Sequence, residues 1–523
     1  MLSVDLPSVA NVDPVIVAAA AGSAVAVYKL LQLGSRENFL PPGPPTKPVL
    51  GNAHLMTKMW LPMQLTEWAR EYGEVYSLKL MNRTVIVLNS PKAVRTILDK
   101  QGNITGDRPF SPMIARYTEG LNLTVESMDT SVWKTGRKGI HNYLTPSALS
   151  GYIPRQEEES VNLMHDLLMD APNRPIHIRR AMMSLLLHIV YGQPRCESYY
   201  GTIIENAYEA ATRIGQIAHN GAAVDAFPFL DYIPRGFPGA GWKTIVDEFK
   251  DFRNGVYNSL LEGAKKAMDS GVRTGSFAES VIDHPDGRSW LELSNLSGGF
   301  LDAGAKTTIS YIESCILALI AHPDCQRKIQ DELDNVLGTE TMPCFNDLER
   351  LPYLKAFLQE VLRLRPVGPV ALPHVSRESL SYGGYVLPEG SMIFMNIWGM
   401  GHDPELFDEP EAFKPERYFL SPNGTKPGLS EDVNPDFLFG AGRRVCPGDK
   451  LAKRSTGLFI MRLCWAFNFY PDSSNKDTVK NMNMEDCYDK SVSLETLPLP
   501  FACKIEPRDK MKEDLIKEAF AAL

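Results

Sequence analysis

Residues 439–448 read Phe-Gly-Ala-Gly-Arg-Arg-Val-Cys-Pro-Gly, and this stretch decides how the rest of the chain is interpreted. Glycines on both sides of Cys446 predict a tight backbone turn around one sulfur atom, because glycine adopts conformations that other residues avoid. A helical pattern with an acidic first turn begins at Asp449. We therefore expect Cys446 just before a helix N-terminus, where backbone N–H groups and the nearby Arg443 and Arg444 favour a thiolate over a thiol.

The turn around Cys446 has several interpretations when it is taken alone: a nucleophile, a metal ligand or a small buried side chain. The complete pattern F-x-x-G-x-R-x-C-x-G, however, closely resembles the haem-binding loop of the cytochrome P-450 family. The resemblance implies that Cys446 is the axial thiolate ligand of the iron of haem b, and that its electron donation favours O–O cleavage. The other residues of the pattern are implied to bind the cofactor: Phe439, Gly442, Arg444 and Gly448.

Two further segments resemble elements of the same family, in the same order along the chain. Glu360 and Arg363 match its E-x-x-R element, and their i, i+3 spacing places them on one helix face. Taken alone, they are typical of a solvated helix pair. Residues 413–418 resemble the segment whose arginine completes a Glu–Arg–Arg triad, a role that we assign to Arg417. The resemblance implies a buried, structural network behind the thiolate loop.

Four residues are expected to bind the two haem propionates. Trp133 and Arg137 resemble the W-x-x-x-R element of the family, and arginine suits a carboxylate through its fork of donors. Arg444 is implied to act in the same way from the thiolate loop. His374 follows the segment that faces the substrate and resembles the second propionate ligand, although a single histidine is more often an ordinary polar residue with satisfied hydrogen bonds.

The oxygen side of the cofactor is predicted at residues 303–308, which read Ala-Gly-Ala-Lys-Thr-Thr. The resemblance implies that Ala303 and Gly304 leave room for O₂. It also implies that Thr307, with Thr308 beside it, manages protons through its hydroxyl group. The alternative is that this mid-helix threonine bonds the carbonyl group one turn back.

Lys306 departs from the family pattern, which usually has a carboxylate at this position. Three interpretations stay open: Lys306 pairs with an acidic neighbour while water relays protons, it relays protons itself, or it attracts an anionic or phenolic substrate. The first implies a structural role and the other two a catalytic or binding role.

The predicted fold class is mainly α with a small β region, in one large domain. Long helices are expected at 291–322, 323–337 and 352–365, and short strands at 75–80, 84–88, 381–386 and 391–394. The predicted organisation is a lumenal N-terminus (1–13), a transmembrane anchor (14–33), a Pro-rich hinge (34–50) and the haem-thiolate monooxygenase domain (51–523).

The N-terminal prediction depends on the apolar run at 14–33, whose length as a helix matches a bilayer core. The preceding residues are acidic, which disfavours a signal peptide. Basic residues lie only on the C-terminal side, so the positive-inside rule predicts a single-pass protein of the endoplasmic reticulum whose catalytic domain faces the cytoplasm. Residues 41–48 are rich in proline and are expected to form an extended spacer.

Composition excludes several classes of protein. The 523 residues carry a net charge of −9, which disfavours nucleic-acid binding, and eight cysteines without a CxxC pair do not form a disulfide framework. Apolar residues make up 44% of the chain, as in an ordinary globular protein.

The substrate pocket is expected to draw on residues 108–123, 300–308 and 367–372. These segments are apolar or neutral, apart from possible contributions from Arg108, Arg116, Glu119 and Lys306. An apolar or aromatic small molecule therefore fits best. The expected partners are this substrate, membrane lipid and an NADPH-cytochrome P-450 reductase, with cytochrome b5 as a compatible second partner and no nucleic acid.

The resemblance implies an enzyme that inserts one oxygen atom from O₂ into its substrate, with electrons from NADPH through the reductase. Residues 385–420 resemble fungal members of the family in style, and we expect the enzyme to act in secondary metabolism. Three alternatives remain: non-oxygenating chemistry on the same scaffold (oxidative coupling, dehydration or isomerisation), a non-catalytic membrane haem protein, and a haem-free enzyme that uses Cys446 as a nucleophile.

Overall fold

The computed structural model describes residues 14–56, 60–196, 198–219, 223–429, 436–472, 484, 487–490 and 495–523. Helices dominate this part of the chain and strands are short, so the predicted class, mainly α with a small β region, is confirmed. The α-helices are α1 (Pro14–Gln32), α2 (Leu61–Tyr72), α3 (Pro91–Val94), α4 (Gly102–Thr105), α5 (Pro112–Thr118), α6 (Ser131–Asn142), α7 (Pro146–Gly151), α8 (Ile153–Met169), α9 (Arg174–Tyr191), α10 (Ile203–His219), α11 (Ala223–Ala226), α12 (Gly241–Asp269), α13 (Phe277–Asp283), α14 (Trp290–Ala321), α15 (Pro323–Leu337), α16 (Pro352–Leu364), α17 (Ile397–Gly401), α18 (Arg417–Leu420), α19 (Asp449–Ala466) and α20 (Lys510–Ala521).

The strands form three small sheets. They are β1 (Val75–Leu80), β2 (Arg83–Leu88), β3 (His374–Val375), β4 (Leu380–Tyr382), β5 (Tyr385–Leu387), β6 (Met392–Met395), β7 (Phe467–Pro471) and β8 (Cys503–Pro507). The largest sheet has the order β1-β2-β6-β3, in which β2 and β6 are parallel and the other pairs antiparallel. The hairpins β4-β5 and β7-β8 complete the set.

The single strand predicted at 381–386 is wrong. Two short antiparallel strands occupy this region, and they are separated by a turn at Gly383 and Gly384. Both glycines have positive φ (58° and 86°), a conformation that glycine adopts without strain and that ends an extended strand.

Helix α14 is the long central helix that the sequence predicts. Its start is fixed by a capping box, in which the Ser289 side chain accepts from the backbone of Glu292 while the Glu292 side chain accepts from the backbone of Ser289. It ends before Pro323, which begins α15. The helix packs against α9, α10, α12 and α19, and most of its residues are buried. It therefore lies at the centre of the main hydrophobic core.

The predicted helix bounds agree well wherever proline or glycine punctuates the chain. Helix α15 spans Pro323–Leu337 and stops at Gly338, while α16 stops at Leu364, one residue earlier than predicted and two residues before Pro366. Helix α19 begins at Asp449, as the sequence indicates.

The predicted anchor at 14–33 is helical, but its membrane-spanning role is not supported. Within the described ranges, no helix combines the length and the apolarity needed to cross a membrane. The predicted lumenal residues 1–13 lie outside the described residues.

The Pro-rich segment lies against the body of the protein rather than standing free as a spacer. The carbonyl group of Pro42 accepts from the Ser77 backbone at 2.8 Å, which adds this segment to the edge of β1. The side chain of Asn52 donates to the carbonyl groups of Pro44 and Pro45, at 3.0 Å each. Leu40, at the start of the segment, is buried.

Candidate active site

The loop before α19 folds as a tight turn that presents the sulfur of Cys446. The backbone N–H of Cys446 donates to the carbonyl oxygen of Phe439 at 2.8 Å, which closes the turn. Gly440 and Gly442 have φ values of 86° and 61°. A Cβ at Gly442 would also lie 2.2 Å from the carbonyl oxygen of Leu98, so this position requires glycine on two grounds.

The charges around Cys446 differ from those the sequence suggests. Burial raises the pKa of the Cys446 thiol, while a backbone hydrogen bond from Gly448 and the positive charges of Arg137 and Lys453 lower it. Arg444 bonds carbonyl groups elsewhere, and Arg443 is exposed. The protein alone therefore does not hold a thiolate here. A coordinated metal ion would, because a thiol bound to a metal is deprotonated.

The middle of α14 has accessible surface in an otherwise buried helix. Residues 293–301 and 308–320 are all buried. Between them, Ala303 is exposed, and its neighbours Asp302, Gly304, Lys306 and Thr307 are partly exposed. Because buried turns flank this stretch on both sides, we infer that its accessible surface faces an internal space. The small residues Ala303 and Gly304 lie where the sequence predicts room for O₂.

Three partly buried arginines, Arg108, Arg137 and Arg444, form a cationic cluster. Arg108 donates to the carbonyl groups of Thr124, Leu372 and Pro373 at 2.6–3.0 Å. Arg444 donates to the carbonyl groups of Gly106 and Leu123, and its guanidinium lies 5.1 Å from the centre of the Trp133 ring. The guanidinium of Arg137 donates to the carbonyl group of Val445. All these acceptors are neutral main-chain groups.

The positive charge of this cluster is weakly compensated. Burial and the neighbouring Arg444 lower the pKa of Arg108 to about 9, and burial lowers that of Arg444 to about 10. Among the described residues, the carboxylate assigned to Arg444 is Asp107, at 3.9 Å. A ligand with two carboxylates would neutralise the cluster. Leu372 and Val445, whose carbonyl groups bond the cluster, are 42% and 40% exposed, which provides apolar surface beside the charge. Haem, an apolar ring with two propionates, fits these residues.

His374 is buried on β3, and its Nδ1 lies 2.9 Å from the carbonyl oxygen of Thr105. Burial and the positive charge of Arg108 lower the pKa of His374 to about 3. The neutral ring therefore carries its proton on Nδ1, which leaves Nε2 as an acceptor. A hydrogen bond from Nε2 to a propionate would need the imidazolium form, which a nearby propionate would favour. The role of His374 as a propionate ligand therefore stays a prediction.

The hydroxyl group of Thr307 bonds the carbonyl group one turn back, which is one of the two roles predicted for it. Its Oγ1 donates to the carbonyl oxygen of Ala303 at 3.0 Å, and its hydroxyl oxygen retains lone pairs that can accept from water or oxygen. Thr308 is buried, whereas Thr307 is partly exposed to the internal space. Of the two predicted threonines, Thr307 is therefore better placed to handle protons.

Lys306 pairs with an acidic neighbour. Its Nζ lies 3.5 Å from Oε2 of Glu495 in the C-terminal segment, and the two side chains are 22% and 27% exposed. Burial raises the pKa of Glu495, and the charge of Lys306 lowers it. The geometry corresponds to the first of the three interpretations of Lys306.

Glu360, Arg363 and Arg417 lie together in one buried network. Arg363 donates to both carboxylate oxygens of Glu360 at 2.8 Å, and Arg417 donates to both at 3.1 Å. The two guanidiniums also bond main-chain carbonyl groups from Gly401 to Ala412. The network thus fastens α16 to the segment before α18, well within the core.

Two charged residues expected near the pocket are engaged by α12. Arg116 forms a two-pronged ion pair with Asp247 at 2.8 and 2.9 Å, and Glu119 accepts from Asn254 at 2.8 Å. These contacts tie α5 and its C-terminal residue to α12.

Sequence reasoning missed two residues of the site. The sequence predicts Arg108 only as a pocket residue, although it belongs to the cationic cluster. Asp302 is absent from the predicted site. It is the one charged residue within the run from Ser294 to Ala305, and this isolated charge in a buried helix is a signal that the sequence does contain.

Comparisons with known proteins identify the family of this chain. Residues 41–494 match the family described as Cytochrome P450. The chain belongs to the cytochrome P450 family. It is 96% identical, over the full length of both chains, to cytochrome P450 monooxygenase ple5B of Rhodocybe pseudopiperita. It is 36% identical to a cytochrome P450 monooxygenase of Armillaria gallica, over 95% of this chain and 94% of that one. It is also 32% identical to cytochrome P450 monooxygenase patI of Penicillium expansum, over 94% of this chain and 93% of that one.

Membership of the cytochrome P450 family establishes the class of reaction that the site carries out. The protein is a monooxygenase of the fungal type, and the family implies a haem with a thiolate ligand and O₂ as co-substrate. Family membership therefore favours a haem ligand at Cys446 over a haem-free nucleophile. It also disfavours a haem protein without catalytic activity.

Proposed function

We propose that this cytochrome P450 inserts one oxygen atom from O₂ into an apolar small molecule of fungal secondary metabolism, with electrons from NADPH through a reductase. The observation that carries the proposal is the accessible stretch of α14 around Ala303, which is enclosed between buried turns. Leu123 lies against Gly299 and Leu186 against Gly304, both on this helix. An enclosed, largely apolar space suits an apolar substrate.

Different residues would bind the cofactor, transfer protons and exclude water. Cys446 would hold the haem iron, and Arg108, Arg137 and Arg444 would hold the propionates. Bound haem supplies the activation of O₂, which is chemistry that no side chain offers. Thr307 would hold water at the oxygen side and pass protons through its hydroxyl group. Buried apolar residues around α14 would exclude bulk water.

Non-oxygenating chemistry is the weaker alternative. Lys306 is the feature of the sequence that favours it, since a cation replaces the usual carboxylate. The contact between Lys306 and Glu495 accounts for this lysine as half of an ion pair. No other feature of the described residues favours coupling, dehydration or isomerisation over oxygen insertion.

The electron-transfer partner would dock on the basic residues beside the thiolate loop. Arg443, Lys450 and Lys453 are exposed around the start of α19. They offer a local positive surface on a chain whose net charge is −9. An acidic face of a flavoprotein reductase would complement it and bring electrons to the cysteine side of the site.

The test is an isotope experiment on the purified enzyme with a P450 reductase and NADPH. Ligands are first selected from a fungal metabolite library by the spectral shift that they induce in the haem band. Under ¹⁸O₂ we expect a product that gains one ¹⁸O atom, whereas the same reaction in H₂¹⁸O with ordinary O₂ gives no label. A product without oxygen from O₂, formed at the rate of NADPH use, would contradict oxygen insertion.

A further inference from the structure

Asp302 is the centre of a polar cluster in the wall of the proposed pocket. It lies on α14, directly before Ala303. One carboxylate oxygen accepts from the hydroxyl group of Tyr257 on α12, and the other accepts from the side-chain amide of Asn122 at 2.9 Å. Two independent elements thus hold this carboxylate in one orientation.

Tyr257 is itself held rigidly against α14. A Cβ at Gly298, one turn before Asp302, would lie 2.2 Å from its ring, so the ring packs directly on the helix backbone. Arg253, 1% exposed, lies one turn from Tyr257 on α12 and stacks on the ring of Tyr117 at 4.4 Å. Its positive charge partly compensates Asp302 without a direct ion pair.

The carboxylate of Asp302 has capacity for a further partner. A carboxylate offers about four lone-pair positions, and Tyr257 and Asn122 occupy two of them. Asp302 keeps accessible surface although it lies in the middle of the body, and its neighbour Ala303 is exposed to the internal space. Burial raises the pKa of Asp302 to about 7, which reflects a charged form short of compensating donors.

A second observation points to a ligand beside this cluster. The hydroxyl group of Tyr191, at the end of α9, is buried and has no hydrogen-bond partner among the described residues. Burial and the negative charge of Asp302 raise the pKa of Tyr191. Buried hydroxyl groups are rarely left without a partner, so a polar group of a ligand is expected at Tyr191.

The cluster is also tied to the cofactor side of the site. Asn122 bonds Asp302, whereas the carbonyl groups of the next two residues, Leu123 and Thr124, accept from Arg444 and Arg108. Three consecutive residues therefore connect Asp302 with the arginines that would hold the propionates. A substrate anchored on Asp302 would be held at a fixed position relative to the haem.

We propose that Asp302 anchors the substrate by accepting a hydrogen bond from its hydroxyl group, so that the enzyme selects apolar alcohols and rejects carboxylates. This inference rests on the proposed function, because it assigns a role within the same pocket. A hydroxyl group suits the cluster because it donates to Asp302 and accepts from Tyr191. Above about pH 7, where Asp302 is mostly ionised, a carboxylate would face it with like charge.

The test uses three probes with one skeleton: adamantane, 1-adamantanol and 1-adamantanecarboxylate. Binding is followed by the spectral shift of the resting, haem-loaded enzyme at about pH 8, above the pKa of Asp302. We expect 1-adamantanol to bind about 10-fold more tightly than adamantane, the value of one hydrogen bond to a charged group, and the carboxylate to bind most weakly. Equal affinities for alcohol and hydrocarbon, or preference for the carboxylate, would overturn the proposal.

The variant Asp302→Asn identifies the responsible group. We expect its Kd for 1-adamantanol to rise about 10-fold while that for adamantane is unchanged. Asp251→Asn, at an exposed position of α12, is the matched control and should keep the preference of the native enzyme. An Asp302→Asn enzyme that keeps the preference for the alcohol would overturn the assignment.

Tyr257→Phe keeps the proposal testable if Asp302→Asn does not fold. This variant retains the carboxylate and removes one competing donor, so the preference for the alcohol should be kept or increased. A loss of the preference would indicate that the cluster only supports the fold. No reductase is present in these measurements, so failure of oxygen insertion would leave their result standing. Conversely, normal oxygen insertion without a preference for the alcohol would overturn the anchor alone.

Discussion

Lys306 and Glu495 form an ion pair between the central helix and the C-terminal segment, with 3.5 Å between Nζ and Oε2. Most members of the family have a carboxylate at the position of Lys306. In this protein the carboxylate comes instead from Glu495, and the helix provides the cation. Both side chains are only partly accessible, so the pair is better shielded from water than one on the surface.

Reversal of the charge at position 306 should destabilise the protein although it restores the family pattern. In Lys306→Glu two carboxylates face each other, and we expect the free energy of unfolding to fall by about 1–2 kcal/mol. The double variant Lys306→Glu with Glu495→Lys restores an opposite pair and should recover most of the loss. Chemical denaturation of the haem-loaded enzyme measures both. Strictly additive effects of Lys306→Glu and Glu495→Lys on the free energy of unfolding would show that the two side chains do not interact.

Thr307→Ala should still bind haem, but its use of NADPH should no longer be coupled tightly to product formation. The Thr307 proton is donated to the carbonyl group of Ala303, so its oxygen can accept from water in the internal space. Without this hydroxyl group, reducing equivalents should escape as hydrogen peroxide. The measurement compares NADPH use, product and peroxide, with Thr307→Ser as the control that retains the hydroxyl. Tight coupling of NADPH to product in Thr307→Ala would remove the role of Thr307.

Loss of one member of the buried Glu–Arg–Arg network should be severe. Glu360, Arg363 and Arg417 are 0%, 2% and 6% exposed, so Glu360→Gln leaves two arginines without their carboxylate. We expect a loss of about 3–5 kcal/mol in the free energy of unfolding, or no folded protein at all. The exposed pair of Glu349 and Lys355 provides the control, since Glu349→Gln should cost less than about 1 kcal/mol. Similar losses in both variants would contradict the structural role of the network.

His402 should make the unfolding free energy depend on pH. Burial and the positive charge of Arg363 lower the pKa of His402 to about 3, against an ordinary value of 6.5 in the unfolded chain. Between these values the unfolded chain binds the extra proton. Stability is therefore fully present above about pH 6.5 and falls as the pH decreases, by up to about 1.4 kcal/mol per pH unit.

His402→Asn tests this dependence by denaturation between pH 7 and pH 5. The variant should show a shallower loss of stability than the native protein, because it no longer has this group to protonate. His284→Asn, at an exposed position, should leave the slope unchanged. Identical slopes for His402→Asn and the native protein would show that His402 does not carry the effect.

The sequence predicts the parts of this structure that depend on local signals. Helix α15 ends before Gly338 and α16 ends before Pro366, as these residue types predict. The turn around Cys446 needs its glycines because a side chain there would collide with the neighbouring backbone. The Glu–Arg–Arg network could be anticipated as well, since the E-x-x-R spacing already places two of its members on one helix face.

Contacts between distant segments could not be predicted. Glu495 becomes the partner of Lys306 only because the C-terminal segment returns to α14. Arg108 joins Arg444 through carbonyl groups that three separate loops supply, so no spacing along the chain indicates it. At the N-terminus the apolar run at 14–33 predicts a helix, which the structure has as α1, but no membrane-spanning helix is found among the described residues.

The most direct test of the account is the absorption spectrum of the reduced enzyme under CO, because this spectrum reports the axial ligand. We expect a strongly red-shifted Soret band, typical of a thiolate ligand, in the native protein. Cys446→Ser should lose this band. Cys503→Ser is the control, because the sulfur of Cys503 accepts a hydrogen bond from Arg174, and it should keep the band. Folded native protein that binds haem without the shifted band, or a shifted band that persists in Cys446→Ser, would contradict the assignment of Cys446 as the haem ligand.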